Sequence, residues 1–514
     1  MAQLLLEKEL QKYFGYPTFR PGQKEIIQDV LEGTDVLGVL PTGSGKSVCY
    51  QLPAMLLEGL TIVVSPLISL MIDQVKQLRA MRVPGVTTLN SFMDVRQRQQ
   101  VLKNLHRYKL LYVSPELLTH PATVAHFKNV RVSLFVIDEA HCISQWGHEF
   151  RPDYLKLSTV LDTLEQPTTL ALSATVTPEV QQDIIFSLKK PNMKKRIYPM
   201  DRPNIVLAAE KVNSDEEKIE KIIRLLNTYT VPALIYFSSK KTAEKTAAIL
   251  AKAFSDRHVT FYHGGMEQTD RIAVQQQFMN DQLDIICCTS AFGMGINKDN
   301  IRLIIHYHLP MQKESYIQEA GRAGRDGELS LSLLLFTNQD IHIPEQLIKQ
   351  ELPEEETVFR VFQYMTALYN QGKPVPEDLY MENQFELNEI QWRFLKFQLE
   401  KHDMIKGNYI HLTTEKSKKA YHSILAFIRE RHDWKMKKLE EMVQWVNSKS
   451  CLRESLYAEF QSSFSPPIGP CCSRCGLDWG KLPLLEKKNK VISYNDWQQQ
   501  LKYILQVGED IETE

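Results

Sequence analysis

Long apolar runs are missing from this chain. Nowhere do about 18 apolar residues follow one another, so no membrane-spanning helix is expected. The opening MAQLLLEKELQKYF breaks its apolar run with Glu7, Lys8 and Glu9, so no secretory signal is expected either. A surplus of one charge is missing too: 61 Lys and Arg stand against 62 Asp and Glu. That excludes a globally basic coat for nucleic acid, and any such surface has to be local. Cysteine is sparse, with eight in 514 residues, and four of them lie between Cys451 and Cys475. Cys49, Cys142, Cys287 and Cys288 are scattered among apolar runs. This pattern argues against a disulfide scaffold and for a metal site in a reducing compartment.

What the chain does have is enough length for several cores, three or four domains at about 150 residues each. Short apolar runs recur between amphipathic stretches: VLGVL, TIVVSPL, KLLYVSP, SLFVIDE and TTLALSAT. A second set follows with ALIYFSS, VTFYHGG, DIICCTS, IRLIIHYHL and LSLLLF. Fully apolar runs that end at small or polar residues predict buried parallel strands. Two α/β units are therefore expected, joined near KRIYPMDRPNIVLAAE. In such sheets chemistry gathers beyond the carboxyl ends of the strands.

After Ile343 the texture changes. IPEQLIKQELPEEE is acidic and punctuated by proline, which predicts a linker. Two helices are expected between Glu355 and Thr413, the first carrying Val358, Phe359, Phe362, Met365 and Tyr369, the second Ile390, Trp392, Leu395 and Leu399. MIKGNYIHL then predicts a hairpin around Gly407-Asn408. Helices and a two-stranded hairpin in that order predict a winged-helix-like module. Helices resume through Met442, and YNDWQQQLKYILQ in the tail predicts a last one.

Three motifs carry the chemistry. Leu40-Pro41-Thr42-Gly43-Ser44-Gly45-Lys46-Ser47 follows a predicted strand and precedes a predicted helix. Its glycines let backbone N–H groups surround phosphate oxygens, Lys46 neutralises the outer phosphates, and the Ser47 hydroxyl suits Mg²⁺. Asp138-Glu139 closes an apolar strand about 90 residues later, a spacing that suits one nucleotide site. Asp138 is expected to hold the metal and Glu139 to polarise the attacking water. Glu319-Ala320-Gly321-Arg322-Ala323-Gly324-Arg325-Asp326 in the second unit offers two arginines, on the first turn of a helix or the loop before it. They are candidates to reach a transferring phosphoryl group, so ATP is expected between the two units.

With these in place the chain resembles a superfamily 2 helicase, and specifically the RecQ family of DNA helicases, over about residues 8–340 and again in the cysteine region. Tyr13-Phe14-Gly15-Tyr16-Pro17-Thr18-Phe19-Arg20-Pro21-Gly22-Gln23 is similar to that family's adenine motif. The resemblance implies that Tyr16 and Arg20 sandwich the base while Gln23 bonds its edge. Val64-Ser65-Pro66-Leu67-Ile68-Ser69-Leu70, Ser173-Ala174-Thr175 and Ala291-Phe292-Gly293-Met294-Gly295-Ile296-Asn297-Lys298 match further motifs in order, and Gln318 joins Glu139, Arg322 and Arg325 in the set an active motor is expected to keep. CISQWGHEFRPDY, at residues 142–154, resembles the family's aromatic-rich loop. Trp146, His148 and Phe150 are thereby implied to meet single-stranded bases, and Arg151 the backbone. Ser65, Thr289 and Arg271 are candidate phosphate contacts. The resemblance also implies tandem RecA-like domains, 3′→5′ movement and branched repair intermediates as substrates.

Cys472-Ser473-Arg474-Cys475 has a spacer that suits one tetrahedral ion, and Cys451 and Cys471 complete a closed set of four thiolates for Zn²⁺. WKMKKLEEMVQWVNSKSCLRESLYAEF resembles the helical platform before the family's zinc site, although the vicinal Cys471-Cys472 departs from its usual spacing. The winged-helix-like segment precedes this cluster, where the family has it afterwards.

The expected division is 1–204 and 205–343 for the RecA-like domains, 350–420 for the winged-helix-like module, 421–480 for a helical zinc subdomain and 481–514 for a tail. Expected partners are single-stranded and branched DNA, with single-strand-binding or other repair proteins, around a monomer. The short stretch after the last cysteine favours a bacterial cytoplasm, at the nucleoid. Three other readings stay open: an RNA-remodelling ATPase, an ATP-switched DNA-binding regulator and a small-molecule ATPase.

Overall fold

The protein is described here by a computed structural model that covers residues 2–144, 146–147, 151–293, 298–407, 409–479 and 482–484. His148, Phe150, residues 294–297, Asn408 and the expected tail helix lie outside the described residues.

Both sets of apolar runs form all-parallel sheets. The first comprises β1 (Val36–Val39), β2 (Leu60–Val64), β3 (Val86–Leu89), β4 (Leu110–Val113), β5 (Val132–Ile137), β6 (Thr168–Ser173) and β7 (Lys194–Ile197), in the order β3-β4-β2-β5-β6-β1-β7. The second comprises β8 (Ile205–Lys211), β9 (Ala233–Tyr236), β10 (Val259–Tyr262), β11 (Ile285–Cys288), β12 (Leu303–His306) and β13 (Ser330–Phe336), in the order β10-β11-β9-β12-β13-β8. The central strands are buried along their whole length, which is why they read as unbroken apolar runs. Val86–Leu89 and Lys194–Ile197 carry no such signal. Both are edge strands; the latter is largely exposed and needed no apolar face, while the former is largely buried but has two threonines in place of an unbroken apolar run.

The expected linker after Ile343 is not one. It folds as a helix, His342–Glu351, with Pro344 in the first turn, where a missing N–H costs no helical bond. Its last residue, Glu351, is the reason the segment is ordered. The carboxylate takes Arg431 Nη2 at 2.7 Å and Lys435 Nζ at 2.8 Å, two cations with only 2% and 6% of their side chains exposed. Burial alone would push the Glu351 carboxyl up, but Lys435 and Arg431 outweigh it and hold the group below its usual range.

Three helices then precede the hairpin, at Glu355–Asn370, Asp378–Phe385 and Glu389–Lys401, where two were expected. The additional one buries Met381 and Phe385 yet exposes Leu379 and Tyr380, so no single apolar stripe announces it. Trp392 Nε1 donates to Asp378 Oδ1 at 2.8 Å and ties the helices together. Ile405–Lys406 and Tyr409–Ile410 pair antiparallel, as expected. Val358, Phe362, Trp392, Leu395, Ile410 and Ile424 share one core.

Ile424 belongs to the 34-residue helix Thr414–Asn447, capped by the Thr413 hydroxyl. At 1.5 Å per residue it is about 50 Å long. Its far end places Leu439, Met442, Trp445 and Val446 in the large core shared with the sheets. Among the described residues no helix is long and apolar enough to cross a membrane.

Replacing Glu351 by Gln leaves two buried cations facing a neutral group. The expected loss is about 3 kcal/mol at neutral pH, measured by urea unfolding. A lowered carboxylate pKa contributes stability above the ordinary glutamate range and loses it as pH falls through the folded value. The difference between wild type and variant should therefore shrink in acid, and an unchanged midpoint at pH 7 would refute the account.

Candidate active site and metal centre

The glycine-rich loop lies between Val36–Val39 and the helix Val48–Leu56. Gly43 and Gly45 sit at φ 84° and 73°, where a side chain is disfavoured. Space is short as well: a Cβ on Gly43 would lie 2.9 Å from Arg325 Cγ, and one on Gly45 2.8 Å from Gln23 Nε2. The loop opens on a cleft of about 210 Å³ lined by Tyr16, Thr42, Gly43, Gly45, Lys46, Ser47, Asp138 and Glu139 from the first unit. Gln318, Arg322 and Arg325 line it from the second. Ser44 belongs to the same loop, with its carbonyl turned to Gln23. A Cβ on Gly321 would fall 3.0 Å from Thr42 Cβ, so the two units already touch.

Asp138 follows the buried strand Val132–Ile137 and is itself buried. Burial pushes its carboxyl up to about 7, with Glu139 adding to the push and Lys46 opposing it. A buried acid facing a lysine beside a phosphate-type loop suits a divalent cation, which would replace the proton. Glu139 stands at φ 49°, a left-handed conformation that a non-glycine residue holds only under tertiary constraint. Its amide donates to Asp138 Oδ1 at 3.0 Å, and its carboxylate lies 3.4 Å from His141 Nδ1. The same ring nitrogen is 3.0 Å from Ser173 Oγ, so the acid pair is joined to the Ser173-Ala174-Thr175 segment.

Gln318 sits on the helix Lys313–Ala320. The two arginines do not lie on or before a helix start, as expected; they follow the C-terminal end of this one. Gly321 terminates the helix, and the chain turns through Gly324 at φ 52°. The Arg322 guanidinium donates to the Gly293 carbonyl. Burial pushes the Arg325 guanidinium down, and Arg322 and Arg202 add to the effect. With Arg20, which bonds the Gly43 carbonyl, four guanidinium groups thus converge on the glycine-rich loop.

The residues expected around a base are arranged differently. Tyr16 is exposed at the cleft mouth, while Arg20 Nη1 donates to Gly43 O at 2.5 Å. Gln23 Nε2 donates to Ser44 O and Gly45 O, both at 2.9 Å. These side chains hold the loop's carbonyls.

Trp146, half-buried, meets the ring of Trp434 on the long helix with centroids 6.1 Å apart. Arg151 Nη1 donates to Pro66 O at 3.3 Å, which brings the aromatic-rich loop to the Ser65-Pro66 turn. The Ser65 hydroxyl is buried without a hydrogen-bond partner among the described residues. Thr289 ends at the carboxyl edge of the second sheet, its amide bonded to Tyr262 O. Trp434 and Arg202 escaped the sequence reading, since a Trp in the basic stretch RHDWKMKK and an Arg between two strands carry no motif of their own.

The four cysteines gather as expected. Cys451 caps the helix Leu452–Tyr457. The Cys451–Cys471 sulfurs are 3.6 Å apart, Cys451–Cys472 4.0 Å and Cys472–Cys475 3.4 Å, and all four lie within 4.8 Å of one another. Four thiolates about 2.3 Å from a tetrahedral zinc are spaced about 3.8 Å apart, so the spacing of the four sulfurs is compatible with Zn²⁺. Cys475→Ser is expected to reduce bound zinc from one per chain to nearly none and to lower the melting temperature. Metal analysis of the purified protein reads this directly, and retained stoichiometric zinc would exclude Cys475.

Residues 20–184 match the family described as DEAD/DEAH box helicase, and residues 217–327 that described as helicase conserved C-terminal domain. The chain is 39% identical over 501 residues to the probable ATP-dependent DNA helicase RecS of Bacillus subtilis, covering 97% of each. It is 40% identical over 351 residues to the ATP-dependent DNA helicase RecQ of the same organism, covering 68% of this chain and 58% of that one. The fold is shared with Mycobacterium smegmatis helicase Lhr bound to ssDNA and AMP-PNP, at a TM-score of 0.56 and 19% identity over 81% of this chain and 61% of that one. With a glycine-rich loop and acid pair on one parallel sheet facing paired arginines on another, and with a relative matched along nearly its whole length, the chain belongs to the RecQ family of ATP-dependent DNA helicases.

Proposed function

We propose that the protein is an ATP-driven motor that moves 3′→5′ along single-stranded DNA and separates the strands of branched duplexes in recombination and repair. The observation that carries this reading is the cleft itself, with Lys46, Asp138 and Glu139 on one unit and Gln318, Arg322 and Arg325 on the other. The division proposed is 1–204 and 205–343 for the two motor domains, 350–420 for a winged-helix-like DNA-gripping module and 421–480 for a zinc subdomain. In this reading Lys46 and the loop amides of residues 43–47 hold the phosphates. Ser47 and Asp138 would hold Mg²⁺, which when bound would screen phosphate charge. Glu139 orients and deprotonates the attacking water, with Gln318 nearby, while Arg322 and Arg325 stabilise charge developing on the transferred group. A cation so placed is worth roughly 10³–10⁵ in rate.

Trp146 is proposed to stack on bases, worth about 1–3 kcal/mol per base whatever the sequence. His148, Phe150 and Arg151 are proposed to contact the same strand, with Ser65 and Thr289 on the phosphates. Its loop leaves the strand end that carries Glu139, so base contact and hydrolysis share one short segment. Four cysteines would fill a tetrahedral zinc, so the role proposed for this set is structural.

The test is strand separation on a forked DNA with one 3′ arm, in ATP and Mg²⁺. Lys46→Ala is expected to abolish hydrolysis and unwinding together. Trp146→Ala should retain ATP hydrolysis but lose unwinding, with single-stranded DNA bound about tenfold more weakly. Unwinding from a 5′ arm alone would refute the polarity. Hydrolysis stimulated by RNA and not by DNA would move the protein to the RNA-remodelling class.

A further inference from the structure

The segment 198–204 passes from the last strand of the first sheet to the first strand of the second, and Arg202 lies in it. Its guanidinium touches both sides of the cleft. Nη1 donates to Thr42 O in the glycine-rich loop at 3.0 Å and to Gly321 O at 3.2 Å. Nη2 donates to Gly324 O at 2.5 Å and to Ala323 O at 3.4 Å. These carbonyls flank Arg322 and Arg325 on one side and open the phosphate-type loop on the other. Nη1 would also lie 3.1 Å from a Cβ on Gly43, beside the place a phosphate has to occupy.

The backbone around Arg202 is held from the cysteine module. Gln461 Oε1 accepts the amides of Met200 and Asp201 at 2.8 and 3.1 Å. Ile468 N donates to Pro203 O at 2.9 Å. Arg453, two residues beyond Cys451, donates to the Asp201 carboxylate, to Arg202 O at 3.0 Å and to Ile205 O. Asn204 Nδ2 donates to Gly324 O and Glu328 O, both at 2.8 Å. The anchorage leaves the guanidinium little freedom except to follow the two loops it joins.

We infer that Arg202 is a positioning residue for ATP hydrolysis, which spans the cleft and sets Arg322 and Arg325 in register with the glycine-rich loop, and that Arg453 fixes it there from the cysteine-bound helix. A planar fork with five N–H donors can bridge carbonyls on two loops at once; a lysine ammonium on a flexible stem reaches one at a time. Misplacing a reacting group by about 1 Å costs on the order of 100-fold in rate, so the bridge acts on turnover more than on nucleotide affinity. The inference rests on the cleft being the ATP site.

Arg202→Lys keeps the charge and removes the fork. It is expected to melt at the wild-type temperature, to bind a fluorescent non-hydrolysable ATP analogue with unchanged affinity, and to lower DNA-stimulated kcat by about 100-fold with KM for ATP unchanged. Wild-type turnover would overturn the inference, as would a raised KM at unchanged kcat, which marks uniform binding. Arg453→Lys should show the same kcat loss with its full complement of zinc by metal analysis. Normal turnover there would overturn the role given to Arg453. Lys46→Ala serves as the control: if it still hydrolyses ATP, the reading of the cleft has failed, whereas failure of Arg202→Lys alone leaves that reading intact.

Discussion

The architecture depends on bringing two carboxyl strand edges face to face, and the contact that does so is electrostatic. Arg202, Arg322 and Arg325 converge on a loop whose own outward groups are carbonyls and a lysine. Guanidinium groups in one partly buried place repel one another: burial pushes Arg325 down, and Arg322 and Arg202 add to it. Backbone carbonyls of Thr42, Gly293, Gly321 and Gly324 offset that repulsion. A triphosphate would offset it far better. The cleft thus presents a set of positive charges that suits an anion.

A second constraint is the long helix Thr414–Asn447, which behaves as a strut between otherwise separate parts. One end is part of the core under the hairpin. In the middle, Arg431 and Lys435 meet Glu351, and Trp434 meets Trp146 of the aromatic-rich loop. Farther on, Trp445 packs at 4.8 Å from Tyr316, on the helix that carries Gln318. Lys438 binds Glu441 and Glu459. One rigid rod therefore touches both the loop proposed to meet DNA and the helix that leads to the arginines.

The cysteine cluster has a structural consequence beyond itself. Leu207 on the edge strand Ile205–Lys211 donates its amide to Cys471 O at 3.3 Å and accepts the Ser473 amide at 2.9 Å. The cluster thus covers a sheet edge that would otherwise present unpaired backbone groups. If zinc closes the set, its binding energy is folding energy for that edge as well as for the helix capped by Cys451.

The sequence alone determined the two parallel sheets, because strands buried on both faces have to be apolar throughout and that signal is local. It also determined the glycine-rich loop, the acid pair, the arginine motif and the cysteine quartet, since each is a short string whose chemistry requires those residues at that spacing. Only the tertiary structure decided where the arginines stand relative to their helix, because a glycine can end one helix or precede another. It alone ordered residues 342–351, whose acidic, proline-marked string acquires its meaning from Arg431 and Lys435 some 80 positions away. The same holds for Trp434, Arg202 and Arg453. Their roles are contacts between elements distant in sequence, and a side chain that bonds to backbone carbonyls leaves no motif behind, because every residue supplies the same carbonyl.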